Sequence, residues 1–318
     1  MDFKHKVSGP ATSRSAVVFC CDDGYLPYAL HAANQISQMH PNRDFDLCVV
    51  SYEAITIPEG LRSVRLRTCT VDAEAFFALF PTKSRHGATA YARLLVPSIF
   101  QNDYDRILYL DSDIHIQSCN LSGLLRANLD NRAIAAVRDN PQWRTPTRKP
   151  SEFKKFDLPN APYFNSGVLL IDVRNWQKED ILGQSAKIGR TRFSDLERHD
   201  QTLLNVIFHR KWAELSPVWN WQYSASARLH EAVFGANIIH FIGPVKPWNA
   251  PPGVLPPRFG RELANFCAVH FPERKITVPT GTRPGSSLMF KMLLRHMINR
   301  KKMERYLARF PTELIVAS

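Results

Sequence analysis

Short apolar runs alternate with amphipathic stretches through the first third of the chain. Ala16 to Cys21 is uninterruptedly apolar and closes on Asp22, Asp23 and Gly24, the pattern of a strand buried on both faces that ends in a turn. From Tyr25 to Met39 the apolar residues Leu26, Ala29, Leu30, Ala33 and Ile36 share one face at helical spacing. Phe45–Tyr52 and Val64–Val71 read as further strands, Ala73–Leu79 as a short helix and Thr89–Phe100 as a longer one. That helix leads into Arg106-Ile107-Leu108-Tyr109-Leu110, an apolar run capped by Asp111-Ser112-Asp113. Strands and helices alternating at this spacing predict an α/β domain with a mostly parallel sheet and helices on both faces.

After the acidic triplet the pattern loosens. Ala133–Val137 and Phe164–Val173 are strand candidates, Asn175–Gly189 and Asp200–Arg210 helix candidates, and Ile238–Ile242 a short strand ending in a Gly-Pro turn. Between them, Asn140 to Pro162 holds five prolines among basic residues and reads as a long mobile loop. Its aromatics Trp143, Phe153 and Phe156 are costly to leave in water without a partner, so the loop is expected to order over a bound ligand. Residues 244–257 are also proline-rich. From Leu288 to Phe310 apolar residues interleave with Lys and Arg as in a basic amphipathic helix. Three regions follow: a polar extension over 1–15, a catalytic domain over 16–282 and a basic tail over 283–318.

Charge sharpens this division. The formal net charge is +12; residues 138–155 carry six Lys/Arg against two acids and residues 283–318 eight against two. Such clustering calls for an anionic partner, and an anionic membrane surface suits the tail. Nucleic acid is excluded as a partner, because no helix-turn-helix, zinc-finger or RNP-like pattern accompanies the charge. The six cysteines show no C-x-x-C pair and lie mostly in apolar runs, as buried reduced thiols do. With no signal-like start and no apolar run near ~20 residues, the expected location is cytoplasmic, with peripheral attachment to the inner face of the cytoplasmic membrane.

Two carboxylates spaced i, i+2 at the tip of a buried strand offer hard oxygen ligands to a divalent cation, in the crevice where open α/β sheets bind ligands. Asp111 and Asp113 take that role, and His240 can add an imidazole, a mixed set suited to Mn²⁺ or Mg²⁺ rather than structural zinc.

The ordered segments Cys20-Cys21-Asp22-Asp23-Gly24-Tyr25, Arg85-His86, Tyr91-Ala92-Arg93, Leu110 to Asp113, Tyr163 to Val168, His199-Asp200-Gln201 and His240 to Trp248 closely resemble glycosyltransferase family 8. The family includes bacterial lipopolysaccharide galactosyl- and glucosyltransferases. The resemblance implies a Rossmann-like nucleotide-diphospho-sugar transferase fold of the GT-A type. It also implies a retaining, metal-dependent transfer of hexose from a UDP-sugar, UDP-galactose or UDP-glucose, to a saccharide or glycolipid acceptor in surface-glycan synthesis. On that reading Asp111, Asp113 and His240 hold Mn²⁺ against the charge developing on a nucleoside diphosphate leaving group, and Lys246 and Gly243 complete the phosphate site, one as a point charge and one by allowing close backbone approach. Cys20, Asp22, Tyr25, His86, Arg93, Ser112 and Ser166 line the donor pocket with Gly243 and Lys246, while Asn165, Asp200 and Gln201 surround the sugar, Gln201 beside the anomeric carbon. Relatives commonly carry Asn where this chain has Gly24, so one ribose or base contact is missing. Two alternatives compete. A sugar nucleotidyltransferase would carry a Gly-rich, Arg-containing loop after the first strand, which is absent. An inactive sugar-nucleotide-binding protein would not need every ligand position filled.

Overall fold

A computed structural model describes residues 3–80, 85–118, 120–276, 278 and 283–317, with the backbone only for 85–88. Strands β1 (Lys4–Val7), β2 (Ser15–Cys20), β3 (Asp46–Ser51), β4 (Leu66–Asp72), β5 (Arg106–Leu110), β7 (Ile134–Arg138), β8 (Phe164–Asp172) and β9 (Ala213–Glu214) form one sheet in the order β1-β4-β3-β2-β5-β8-β7-β9. A small second sheet joins β10 (Trp221–Gln222), β11 (Ile238–His240) and β6 (Ile114–Ile116). Strands β2 to β5 run parallel, whereas β8 lies antiparallel to both β5 and β7. The sheet is therefore mixed, as the architecture of the family implies.

The apolar runs read as doubly buried strands because they are. Ala16, Val18 and Cys20 join the core on one face of the sheet, and Val17 and Phe19 the core on the other. Helix α1 (Leu26–Met39) packs Leu26, Ala29, Leu30 and Ile36 into the second core. Helix α5 (His199–Ile207) packs Leu203 and Leu204 into the first.

Several elements depart from expectation. The helix expected over Thr89–Phe100 is split into α2 (Arg85–Ala92) and a single turn at Val96–Ile99, which Pro97 begins rather than continues. The helix expected over Asn175–Gly189 is interrupted at Asp180, whose φ of 45° is left-handed. The stretch Asn140 to Pro162 is not a bare loop: it contains the turns α3 (Asn140–Arg144) and α4 (Ser151–Lys155), with Pro141 in the first turn of α3 and Pro150 as the cap before α4. Trp143 and Phe153 are buried, and Phe156 lies beneath the Arg192 guanidinium at 4.4 Å. These aromatics are spent on packing rather than left free to close over a ligand. Helices α6 (Arg228–Phe234) and α7 (Pro257–His270) were not apparent from periodicity.

The basic tail forms one helix, α8 (Ser286–Leu307). Met303, Tyr306 and Phe310 anchor it in a third core with Trp143, Trp221, Phe241 and Phe259. Among the described residues, no helix is long and apolar enough to cross a membrane.

Candidate active site

Strand register brings the acidic triplet together with its neighbours. Leu110 pairs with Val168 across the β5–β8 ladder, and the Asp111 amide donates to the Gly167 carbonyl at 2.8 Å. Because β8 runs antiparallel, its N-terminal residues Asn165 and Ser166 lie beyond the end of β5. In the small sheet His240 pairs with Ile114, and the Phe241 amide donates to the Asp113 carbonyl at 3.0 Å. Two strands distant in sequence thus deliver a carboxylate pair and an imidazole to one point.

The ligand atoms of Asp111, Asp113 and His240 lie within 4.8 Å of one another. His240 Nε2 is 3.2 Å from Asp113 Oδ1 and 3.8 Å from Asp111 Oδ2. Asp113 Oδ1 is buried and makes no hydrogen bond, an orphaned charge-bearing oxygen of the kind a cation satisfies. The residues fit a divalent metal. Burial pushes the Asp113 carboxyl upward, but His240 and the Lys246 ammonium outweigh it and hold the group below the usual carboxylate range. Lys246 Nζ contacts both Asp113 Oδ2 and the Phe241 carbonyl.

A polar chain runs from the imidazole to the far side of the site. The Asn220 side-chain oxygen lies 3.0 Å from His240 Nδ1 and fixes the ring with Nε2 toward the carboxylates. The Asn220 amide donates to Asn165 Oδ1 at 2.8 Å, and Asn165 Nδ2 donates to Gln201 Oε1 at 3.1 Å. The Ser166 amide also donates to Gln201 Oε1, at 3.3 Å. Two donors therefore hold the Gln201 oxygen. On the other flank Arg93 is buried among anions. Its guanidinium reaches Asp111 Oδ1 at 2.9 Å, Asp200 Oδ2 at 3.2 Å and the Ser166 carbonyl at 2.7 Å. Burial raises the Asp200 carboxyl despite Arg93, and Ser166 Oγ donates to it at 3.0 Å.

A cavity of about 140 Å³ opens beside this cluster, lined by Cys20, Cys21, Asp22, Tyr25, Thr89, Ala90, Arg93, Tyr109 and the acidic triplet. The five described cysteines are free and buried, and burial raises the Cys20 and Cys21 thiols, so neither offers a thiolate. Cys119 lies outside the described residues. So does the side chain of His86, whose backbone is in α2. The Asp22 carboxylate accepts from the Tyr25 amide at 3.0 Å and turns the chain into α1. Ser112 Oγ is buried without a hydrogen bond.

Gly243 has a φ of +82° and an added Cβ would meet open space, so glycine suits the turn that returns Lys246 to Asp113. A close approach within the chain occurs at Gly167, where a Cβ would fall 2.3 Å from His240 Cε1 and 2.8 Å from Asp111 Oδ2. Sequence reasoning also missed the Tyr109 hydroxyl, which donates to Asp111 Oδ1 at 2.8 Å, and the contact of Asn220 with His240. Tyr109 sits two residues before Asp111 on the same face of β5, a period-2 signal that was available.

Comparison with known proteins agrees with this geometry. Residues 16–251 match the model of a family described as glycosyl transferase family 8. General stress protein A of Bacillus subtilis is 25% identical over 260 residues, covering 74% of this chain and 87% of that one. The lipopolysaccharide 1,3-galactosyltransferase of Salmonella typhimurium is 26% identical over 260 residues, covering 77% and 73%. A galactosyltransferase, LgtC, solved in complex with donor and acceptor sugar analogs, superposes with a TM-score of 0.65 at 24% identity, covering 83% of this chain and 98% of that one.

Proposed function

The chain belongs to glycosyl transferase family 8 and is a glycosyltransferase, and from that premise we propose a retaining transfer of hexose from UDP-galactose or UDP-glucose to a saccharide or glycolipid acceptor of the cell surface. The observation that carries the metal dependence is the convergence of Asp111, Asp113 and His240 within 4.8 Å around an unsatisfied Asp113 oxygen. Asp111, Asp113 and His240 would hold Mn²⁺ or Mg²⁺, which, when bound, stabilises charge on the departing diphosphate as a Lewis acid.

The chain's own groups do the remainder. Lys246, on Asp113, is poised to shift onto a phosphate oxygen. Asp22 and Tyr25 line the cavity at the end of β2, where the uracil base and ribose would sit. Arg93 fixes Asp200 and Asp111 in one geometry, so that Asp200 meets the sugar hydroxyls as a held acceptor. The Gln201 oxygen, already accepting two hydrogen bonds, is a weak nucleophile and acts as a dipole beside the anomeric centre. Transfer then proceeds on one face: the anomeric C–O bond to phosphate breaks, the acceptor oxygen bonds to that carbon, and its proton passes to the departing phosphate. The domain division at residues 16–282 and 283–318 is part of the same reading.

The tail is proposed to rest on an anionic membrane surface, with the catalytic domain in the cytoplasm. Its support is a segregation along α8. The first four turns expose Phe290, Leu293, Leu294, Met297 and Ile298 beside Lys291 and Arg295, while Met303 and Tyr306 dock the last turns to the domain.

Incubation with a panel of UDP-hexoses and Mn²⁺, with and without an extract of glycolipid acceptors, tests the function. UDP release and a new glycoside of unchanged anomeric configuration are expected. Pyrophosphate release from a nucleoside triphosphate and a sugar 1-phosphate, with no UDP release from any donor, would instead make the protein a nucleotidyltransferase.

A further inference from the structure

A second group of cations, away from the acidic triplet, lies where α3, α6 and α8 meet. Arg144, at the end of α3, donates from one terminal guanidinium nitrogen to Ser226 Oγ at 3.2 Å, and Arg295 of α8 does the same at 3.3 Å. Both lone pairs of one buried hydroxyl are thus taken by two positive groups. Neither guanidinium meets a carboxylate among the described residues. The neighbouring acids are engaged elsewhere: Asp139 holds Arg198 at 2.5 Å and Glu304 holds Arg300 at 2.8 Å. Lys302 adds a third cation, its ammonium on the Arg144 carbonyl at 2.9 Å.

Two imidazoles flank the pair. His230 of α6 is fully buried, and neither of its ring nitrogens has a hydrogen-bond partner. Its ring lies 4.2 Å from that of His296, whose Nδ1 is likewise unpartnered. Buried polar atoms and like charges gathered without counter-charge cost free energy unless something external satisfies them. Arg144 and Arg295 are half-exposed, so an outside group can reach them.

We propose that this junction is a binding site for the phosphate of a membrane lipid headgroup. Two guanidinium forks, the Ser226 hydroxyl proton and an imidazole N–H offer more donors than the two oxygens of a carboxylate can accept, whereas a phosphate supplies three or four acceptors. The location selects a headgroup: Arg295 borders the apolar face that α8 leaves exposed, one turn before Ile298 and on the flank facing Ser226. A phosphate at Arg295 would sit at the depth where those side chains enter the acyl boundary. The site rests on the membrane reading of α8 and adds to it a chemical preference.

The test uses the whole chain and two double variants of equal charge change. Arg144→Gln/Arg295→Gln removes the site, and Lys301→Gln/Arg305→Gln removes two exposed cations of the same helix. Co-sedimentation is measured on phosphatidylcholine vesicles doped with phosphatidic acid or, at matched surface charge, with oleic acid. On phosphatidic acid the site variant should lose about tenfold more binding than the control, as for loss of charge-assisted hydrogen bonds. On oleate the two should fall alike. Equal losses on both vesicles would overturn the site in favour of diffuse attraction. If the unaltered protein binds neither vesicle, the membrane reading fails. The site is then judged by inorganic phosphate, which should raise Tm over chloride at equal ionic strength in the unaltered protein and not in the site variant; no difference overturns it. Metal-dependent UDP-sugar hydrolysis, expected unchanged in both variants, reports on the catalytic reading separately.

Discussion

The strand-end cluster and the tail helix α8 handle buried polarity in opposite ways. Around Asp111 nearly every polar atom has a partner within the chain: Arg93, Tyr109, Asn220, Asn165 and Gln201 form one continuous network with Asp113 Oδ1 left over. Along α8 the inner turns are ordinary core, but the first four turns leave large apolar side chains in water and Arg295 without a carboxylate partner among the described residues. A closed network fixes one geometry and needs only a ligand the size of the remaining gap. An open, mixed surface is stable only as a place for something larger.

Breaking the closed network at its gap should have the largest effect. Asp113→Asn removes one metal oxygen's charge and the anchor of Lys246 while keeping the shape of the side chain. Mn²⁺-dependent donor hydrolysis should fall by about 10³-fold or more, with cooperative thermal unfolding retained. Undiminished hydrolysis by this variant in excess chelator would refute the metal role.

Gln201→Ala probes the opposite end. It deletes the oxygen that accepts from Asn165 and Ser166, and kcat should fall by roughly 10 to 10³-fold with a smaller change in KM, as for one preorganised polar contact. A covalent sugar adduct trapped on Gln201 in the parent enzyme would show that a nucleophile had been taken for a dipole.

Asn220→Ala tests whether the chain between the two ends matters. His240 Nδ1 would lose its partner and the imidazole its fixed orientation, so metal affinity should fall about 10- to 100-fold. Raising Mn²⁺ should restore turnover. A loss that excess metal cannot restore would mark Asn220 as a packing residue instead.

Much of the closed region was legible in the sequence and less of the open one, for a physical reason. The apolar run before Asp111 and the i, i+2 carboxylates are local signals, and the ordered motifs carried the rest of the list. What local pattern could not carry was pairing between distant strands. That Asn220 would orient His240, and that Gly167 would have to lack a Cβ beneath it, depends on β8 and β11 arriving at the same point. The proline-rich stretch misled for the converse reason. Pro141 and Pro150 read as breakers, yet each starts a helical turn whose aromatic has a tertiary partner far along the chain, Trp143 in the third core and Phe153 on His209. In α8 the apolar residues look alike in sequence; only docking of Met303 and Tyr306 separates the anchor from the exposed turns.

That separation gives the smallest and most discriminating expectation. Met303 is 2% exposed within the third core, so Met303→Ala should cost about 2–5 kcal/mol for lost burial and the cavity left behind. Phe290 is 68% exposed on the same helix, thirteen residues earlier, and Met297 is 70% exposed. Phe290→Ser and Met297→Ser should each change stability by no more than about 0.5 kcal/mol, because neither removes a core contact. Neither should alter hydrolysis of a soluble UDP-sugar. Both should weaken co-sedimentation with anionic vesicles, since each takes away apolar area that the acyl boundary would otherwise cover. Urea titration of the three variants beside a vesicle assay reads both sides at once. If Phe290→Ser proved as destabilising as Met303→Ala, the first turns of α8 would be core covered by the chain itself, and the contrast between the two regions would vanish.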